Sequence, residues 1–207
     1  MRGLYLITPN WDDTDRLLAL TKRALDAGVA LLQYRHKDAS AALRLDQAAA
    51  LLALCRSYAV PLVINDFVEL CQAVGADGVH VGGTDASVAQ VRSALGPDKI
   101  VGASCYGDLA LAQAAQRSGA SYVAFGGFYP SLVKKYAVTT QAAIVGQAKA
   151  CIALPCVLIG GMTPENAAPL VARGADMVAA ISSVYLAPDV TAAVHRFTEL
   201  FEPQRNV

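Results

Sequence analysis

The sequence has no surplus of charge. Across 207 residues, 17 Lys and Arg balance 17 Asp and Glu, so no global field draws nucleic acid or an anionic membrane, and any anion site has to be local. It also lacks an apolar run of about 18 residues, the length a membrane helix needs. The nearest candidate, residues 150–163, is broken by Pro155 and the Gly160-Gly161 pair into a strand and a turn. The opening MRGLYLITP has no long apolar segment of the kind that directs export, and the expected location is the cytoplasm. The cysteines (Cys55, Cys71, Cys105, Cys151, Cys156) are odd in number and show neither CxxC nor Cys/His metal spacing, so they are expected to be reduced core thiols. Cys105 alone falls just after a strand end, but a nucleophilic thiol wants a basic neighbour and no triad offers one. The first strand-to-helix turn has no GxGxxG, which disfavours an open dinucleotide-binding sheet.

What is present is a large apolar fraction, 55% against 16% charged, enough for one sizeable core in a single domain spanning residues 1–207. Short apolar runs at 3–8, 29–32, 61–64, 78–81, 100–103, 122–125, 155–159 and 177–181 read as eight buried strands. Helix starts stand between them: Asp12, Asp13 and Thr14, then Ser40, then Asp108, then Thr163 followed by Pro164 and Glu165. Gly28, Gly75, Gly119 and Gly174 each end a helix shortly before an apolar strand, at intervals of about two βα units. The pattern predicts an α/β fold, a (β/α)8 TIM barrel, with a doubly wound open sheet as the alternative.

In such a barrel the strand C-termini share one face, and the polar residues collect there. Gln33, Arg35, His36 and Lys37 follow strand two, Asn65 and Asp66 strand three, Asp85 strand four and Ser104 strand five. Ser131 and Lys134 lie in a long loop after strand six, Gly161 follows strand seven and Ser182 strand eight. Arg35 and Lys37 lie two residues apart, on one side of an extended segment, which suits a polyphosphate; the competing reading is a solvated strand end. Asp66 and Asp85 facing those cations would suit a Mg²⁺-diphosphate, since Mg²⁺ takes one or two carboxylates together with waters and phosphate oxygens. Each could equally be a helix N-cap. Gly160-Gly161 and Ser182-Ser183 stand where these barrels hold a monophosphate on backbone N–H groups, or are a tight turn with two ordinary serines. Together they imply two phosphorylated small-molecule substrates on one rim.

QYRHK (33–37), IND (64–66), DGVHVG with Asp85 following, GAS (102–104), the YPS…KK loop (129–135), IGGMTPEN (159–166) and GADMVAAIS (174–182) come in an order and spacing that resemble the thiamine phosphate synthase family over nearly the whole chain. The resemblance implies a transferase of thiamine biosynthesis. Such an enzyme joins 4-amino-2-methyl-5-hydroxymethylpyrimidine diphosphate to 4-methyl-5-(2-phosphoethyl)thiazole, carboxylated or not, and releases diphosphate. It implies pyrimidine diphosphate contacts from Gln33, Tyr34, Arg35, His36, Lys37, Asn65, Ser104 and Lys134. It implies Mg²⁺ on Asp66 and Asp85, and thiazole phosphate contacts from Ser131, Leu132, Val133, Gly161, Ile181 and Ser182. Arg35, Lys37, Ser104 and Lys134 are then the catalytic set. The family chemistry is dissociative, with a pyrimidine-stabilised cation attacked by the thiazole nitrogen. It needs charge neutralisation and two held substrates rather than a strong base. Two positions depart from the pattern: Gly83 where Gln is common, and Val133 where Thr is common. A thiazole tautomerase on the same barrel and a non-catalytic phosphoester-binding protein are the competing functions. Neither nucleic acid nor membrane is expected as a partner, and a homo-oligomer is left open.

Overall fold

The structure is a computed structural model that describes residues 1–82, 86–130 and 139–202. Strands and helices alternate: β1 (Gly3–Ile7), α1 (Thr14–Asp26), β2 (Leu31–Tyr34), α2 (Ala41–Ser57), β3 (Leu62–Asn65), α3 (Val68–Val74), β4 (Gly78–Val81), α4 (Val88–Leu95), β5 (Ile100–Tyr106), α5 (Leu109–Arg117), β6 (Tyr122–Gly126), α6 (Ala143–Cys151), β7 (Cys156–Ile159), α7 (Pro164–Val171), β8 (Met177–Ala180), α8 (Ser182–Tyr185) and α9 (Val190–Thr198). All strands pair in parallel and in sequence order. β1 closes on β8, with Gly3 opposite Met177 and Leu6 opposite Ala180. This closed (β/α)8 barrel excludes the open-sheet alternative.

The strand pleat divides the apolar residues between two cores. Leu4, Leu6, Leu32, Ile64, Val79 and their equivalents face the helices. Tyr5, Ile7, Leu31, Val63, Tyr122, Val157 and Met177 fill the barrel interior. Tyr122 needs space that only a glycine leaves: a Cβ on Gly102, across the β5–β6 ladder, would meet the Tyr122 ring at 2.1 Å.

The caps follow local chemistry. The side chains of Asp13, Ser40, Asp108 and Thr163 each accept a backbone N–H from the first turn of the helix they precede. Three expectations need correction. β5 runs on past Ala103 to Tyr106, with a register shift between Ser104 and Tyr106 that lets the strand bend. The Ser182-Ser183 pair does not form a plain turn but opens the short helix α8. Cys151 is exposed, whereas the other four cysteines are buried.

Candidate active site

Alternation along the second strand sorts the QYRHK stretch. Gln33, Arg35 and Lys37 line a cavity of about 100 Å³ at the C-terminal mouth of the barrel, together with Asn65, Asp66, His80 and Ser104. Tyr34 and His36 do not line it. Their side chains point to the opposite face because successive residues of an extended segment do. The Tyr34 hydroxyl donates to Gln47 Oε1 at 2.9 Å in the packing against α2. The buried His36 ring places Nε2 3.4 Å from the Asp12 carboxylate.

Arg35 is held from the first strand. Its N–H donates to Thr8 Oγ1 at 2.8 Å, and a guanidinium Nη1 donates to Asn10 Oδ1 at 3.1 Å. Its Nε is buried without a partner among the described residues. An unpaired buried donor is costly even on a half-buried side chain, and an anion in the cavity that Arg35 lines would relieve the cost. Thr8 and Asn10 escaped sequence reasoning because nothing in the local pattern separates them from ordinary strand-end residues.

Asp66 carries the other sign. Its carboxylate lies 2.8 Å from Lys37 Nζ and accepts from Asn65 Nδ2 at 2.6 Å. It does not cap the next helix: Phe67 occupies the N-cap of α3, with no side-chain bond. Asp66 sits at φ +64°, a left-handed conformation that costs a non-glycine residue about 1 kcal/mol. That turn leaves the carboxylate on the cavity wall. Ser87, bonded with Gln90 in a capping box, caps α4, so that helix does not require Asp85 as its cap. Asp85 itself, with Gly83, lies outside the described residues. So do Ser131, Leu132, Val133, Lys134 and Lys135.

A second, mostly apolar cavity of about 400 Å³ adjoins the first. Ser104, Tyr106, Ala124, Ile159, Ala179 and Ile181 line both. Gly161, Ile181 and Ser182 all line it. Gly161 has φ +62°, and a Cβ there would fall 2.2 Å from Pro130 O, so only glycine lets the segment after β6 pass. The two ends of that segment are tied together: Thr139 and Thr140 N–H donate to Gly127 O, and Thr140 Oγ1 donates to Gly126 O.

Beneath both cavities runs a buried polar chain that sequence reasoning missed. Gln33 Nε2 donates to the Tyr5 hydroxyl at 2.5 Å, and the Tyr5 and Tyr122 hydroxyls lie 2.7 Å apart. Tyr122 is 2.9 Å from His80 Nδ1, and His80 Nε2 is 2.9 Å from Ser104 Oγ. His80 is thus engaged at both ring nitrogens. Cys105, by contrast, is inert: it is buried, and burial pushes its thiol up to about 12.

A parallel barrel with a cationic strand end opposed by a carboxylate, and a glycine turn beside a short helix on the same rim, is the build of an enzyme for phosphorylated substrates. The sequence profile of the thiamine monophosphate synthase (TMP-TENI) family matches residues 4–184. The chain is 66% identical to a thiamine-phosphate synthase of Janthinobacterium sp. (strain Marseille), the match covering 97% of each. It is 50% identical to that of Thiobacillus denitrificans, over 98% of this chain and 97% of the relative. A solved thiamine phosphate pyrophosphorylase from Pyrococcus furiosus superposes with a TM-score of 0.84 at 28% identity, covering 96% of this chain and 94% of that one. The chain belongs to the thiamine monophosphate synthase family and is a transferase.

Proposed function

We propose that this protein condenses 4-amino-2-methyl-5-hydroxymethylpyrimidine diphosphate with 4-methyl-5-(2-phosphoethyl)thiazole to give thiamine phosphate and diphosphate. One observation carries the assignment of the site: a small charged cavity and a larger apolar one share a wall at Ser104, Tyr106, Ala124, Ile159, Ala179 and Ile181. Two substrates held in adjoining cavities meet at that wall, where the new C–N bond would form.

The pyrimidine diphosphate takes the small cavity in this reading. Arg35 and Lys37 neutralise the charge that grows on the leaving diphosphate as its C–O bond breaks, Lys134 adds a third cation, and Gln33, Asn65 and Ser104 hold the remainder. The unpartnered Arg35 Nε supports an anion there. The thiazole phosphate takes the larger cavity, its ring against the apolar wall and its phosphate on the backbone at Gly161, Ile181 and Ser182, with Ser131, Leu132 and Val133 as further contacts in this reading. Among the described residues no cluster of three or more His, Cys, Asp or Glu could cage a metal. Asp66 is instead a partly exposed oxygen donor on the wall of the small cavity, which fits the small share of protein ligands that Mg²⁺ takes. Asp66 and Asp85 would hold the ion, which when bound supplies charge stabilisation to the departing diphosphate. In the structure Lys37 neutralises Asp66, and the ammonium would turn to the phosphates when the site fills.

Purified protein incubated with both substrates and Mg²⁺ should release diphosphate and form thiamine phosphate in equal amounts. Folded protein that yields neither product would overturn the proposal.

A further inference from the structure

Among the described residues, one continuous string of polar side chains crosses the barrel interior: Gln33, Tyr5, Tyr122, His80 and Ser104, drawn from β2, β1, β6, β4 and β5. A buried network of this kind is worthwhile only when every member is satisfied, and satisfaction here forces a direction. Gln33 spends an amide N–H on the Tyr5 oxygen. Tyr5 has one proton to give, and among the described residues Tyr122 is its other partner. Tyr122, having accepted from Tyr5, gives its proton to His80 Nδ1. The ring proton of His80 then lies on Nε2 and goes to the Ser104 oxygen. Ser104 keeps its own hydroxyl proton for whatever fills the cavity it lines. Burial pushes both phenols well above the usual tyrosine range, so each holds its proton at any working pH.

We propose that Tyr5, Tyr122 and His80 are positioning residues that lock Gln33 as a hydrogen-bond acceptor and Ser104 as a hydrogen-bond donor toward the pyrimidine substrate. The inference rests on the assignment of the small cavity to the pyrimidine diphosphate. With its nitrogen committed to Tyr5, Gln33 offers its amide oxygen, which accepts from an exocyclic amino group and repels a carbonyl in the same place. Ser104 offers a proton to an acceptor atom of the same substrate. The chain would thus set specificity for the 4-amino ring over its 4-oxo analogue, through the orientation it imposes on Gln33 and Ser104. Rejection by an unpaired buried acceptor is the kind of discrimination that reaches about 100-fold or more.

Two measurements test this. The first is ¹⁵N NMR of histidine-labelled resting protein, which needs no substrate. His80 should show a pyridine-type Nδ1 and a pyrrole-type Nε2; a pyrrole-type Nδ1 would mean the chain runs the other way and overturns the proposal. The second compares the 4-amino and 4-oxo pyrimidine diphosphates in wild type and Tyr5→Phe. Losing the phenol frees the Gln33 amide to rotate, so the kcat/KM preference should fall about tenfold, the worth of one buried hydrogen bond, with the thiazole KM unchanged. A folded Tyr5→Phe that keeps the full preference also overturns it. Should the wild type turn over neither pyrimidine, the functional reading fails, while the tautomer measurement still decides the direction of the chain.

Discussion

At the N-terminal rim of the barrel, the Asp77 carboxylate accepts from Leu62 N–H at 2.7 Å and the Asp176 carboxylate from Cys156 N–H at 2.8 Å. Lys149 Nζ sits 2.9 Å from that second carboxylate. Arg92 spreads its guanidinium over the carbonyls of Gly96, Pro97, Lys99 and Gly119 and the Ser121 hydroxyl. At the C-terminal rim the same residue types are arranged differently. Arg35 Nε has no partner among the described residues, and Asp66 and Tyr106 sit at φ +64° and +52°. One rim uses its charges to finish backbone hydrogen bonding; the other leaves donors and strain in place for a ligand to relieve. A charged residue in this fold therefore reads as structural or functional by what its atoms already hold.

That contrast predicts which losses appear in catalysis and which in stability. The largest catalytic loss should come from Asp66→Ala and Asp85→Ala, each slowing turnover at saturating Mg²⁺ by at least about 100-fold. Thermal melting should stay near wild type, or rise in Asp66→Gly, which relieves the left-handed backbone. Near-normal rates in both alanine variants would dissolve the distinction at its sharpest point. Next, Arg35→Ala and Lys37→Ala should raise the KM for the pyrimidine diphosphate and lower kcat, together costing about tenfold to a hundredfold in kcat/KM. The thiazole KM should barely move; if it moves instead, the two cavities are assigned the wrong way round.

Arg92→Ala is the converse experiment. It should lower unfolding stability by about 2 kcal/mol, because four carbonyls and the Ser121 hydroxyl lose a charged donor together, while kcat and both KM values at low temperature hold. Denaturant titration beside steady-state kinetics separates the two readouts. The smallest effect expected is a gain. Val133→Thr should lower the thiazole KM roughly fivefold to thirtyfold by restoring a hydroxyl–phosphate bond. An unchanged KM would show that position 133 makes no phosphate contact.

The barrel was legible because its signals are local. Asp13, Ser40, Asp108 and Thr163 announce helices within three residues of the bonds they make. The charged cavity was legible because Arg35, Lys37, Asn65 and Asp66 are polar residues directly at strand ends. Tyr34 and His36 fall outside that cavity, because strand alternation separates them from their neighbours. The Tyr5–Tyr122 pair could not be read at all. In sequence each is one more bulky residue in an apolar strand, and their hydroxyls meet across 117 residues through barrel closure alone. Tyr106 escaped for a related reason, since only the register shift in β5 brings it to the wall between the cavities.

The knot that Thr139 and Thr140 make with Gly126 and Gly127 has a consequence for how this enzyme can change over generations. With its two stems clasped, the intervening segment is a closed circuit whose length the strands do not feel. Doubling such a circuit costs only about 0.6 kcal/mol of closure entropy. Insertions and deletions inside it are therefore nearly free for the barrel, and even a substitution at Thr140 removes only the side-chain bond to Gly126 O while the two backbone bonds to Gly127 O stay. Length can drift there while the two ends stay put, which makes this loop the natural place for a new substrate preference to be tried without refolding the protein.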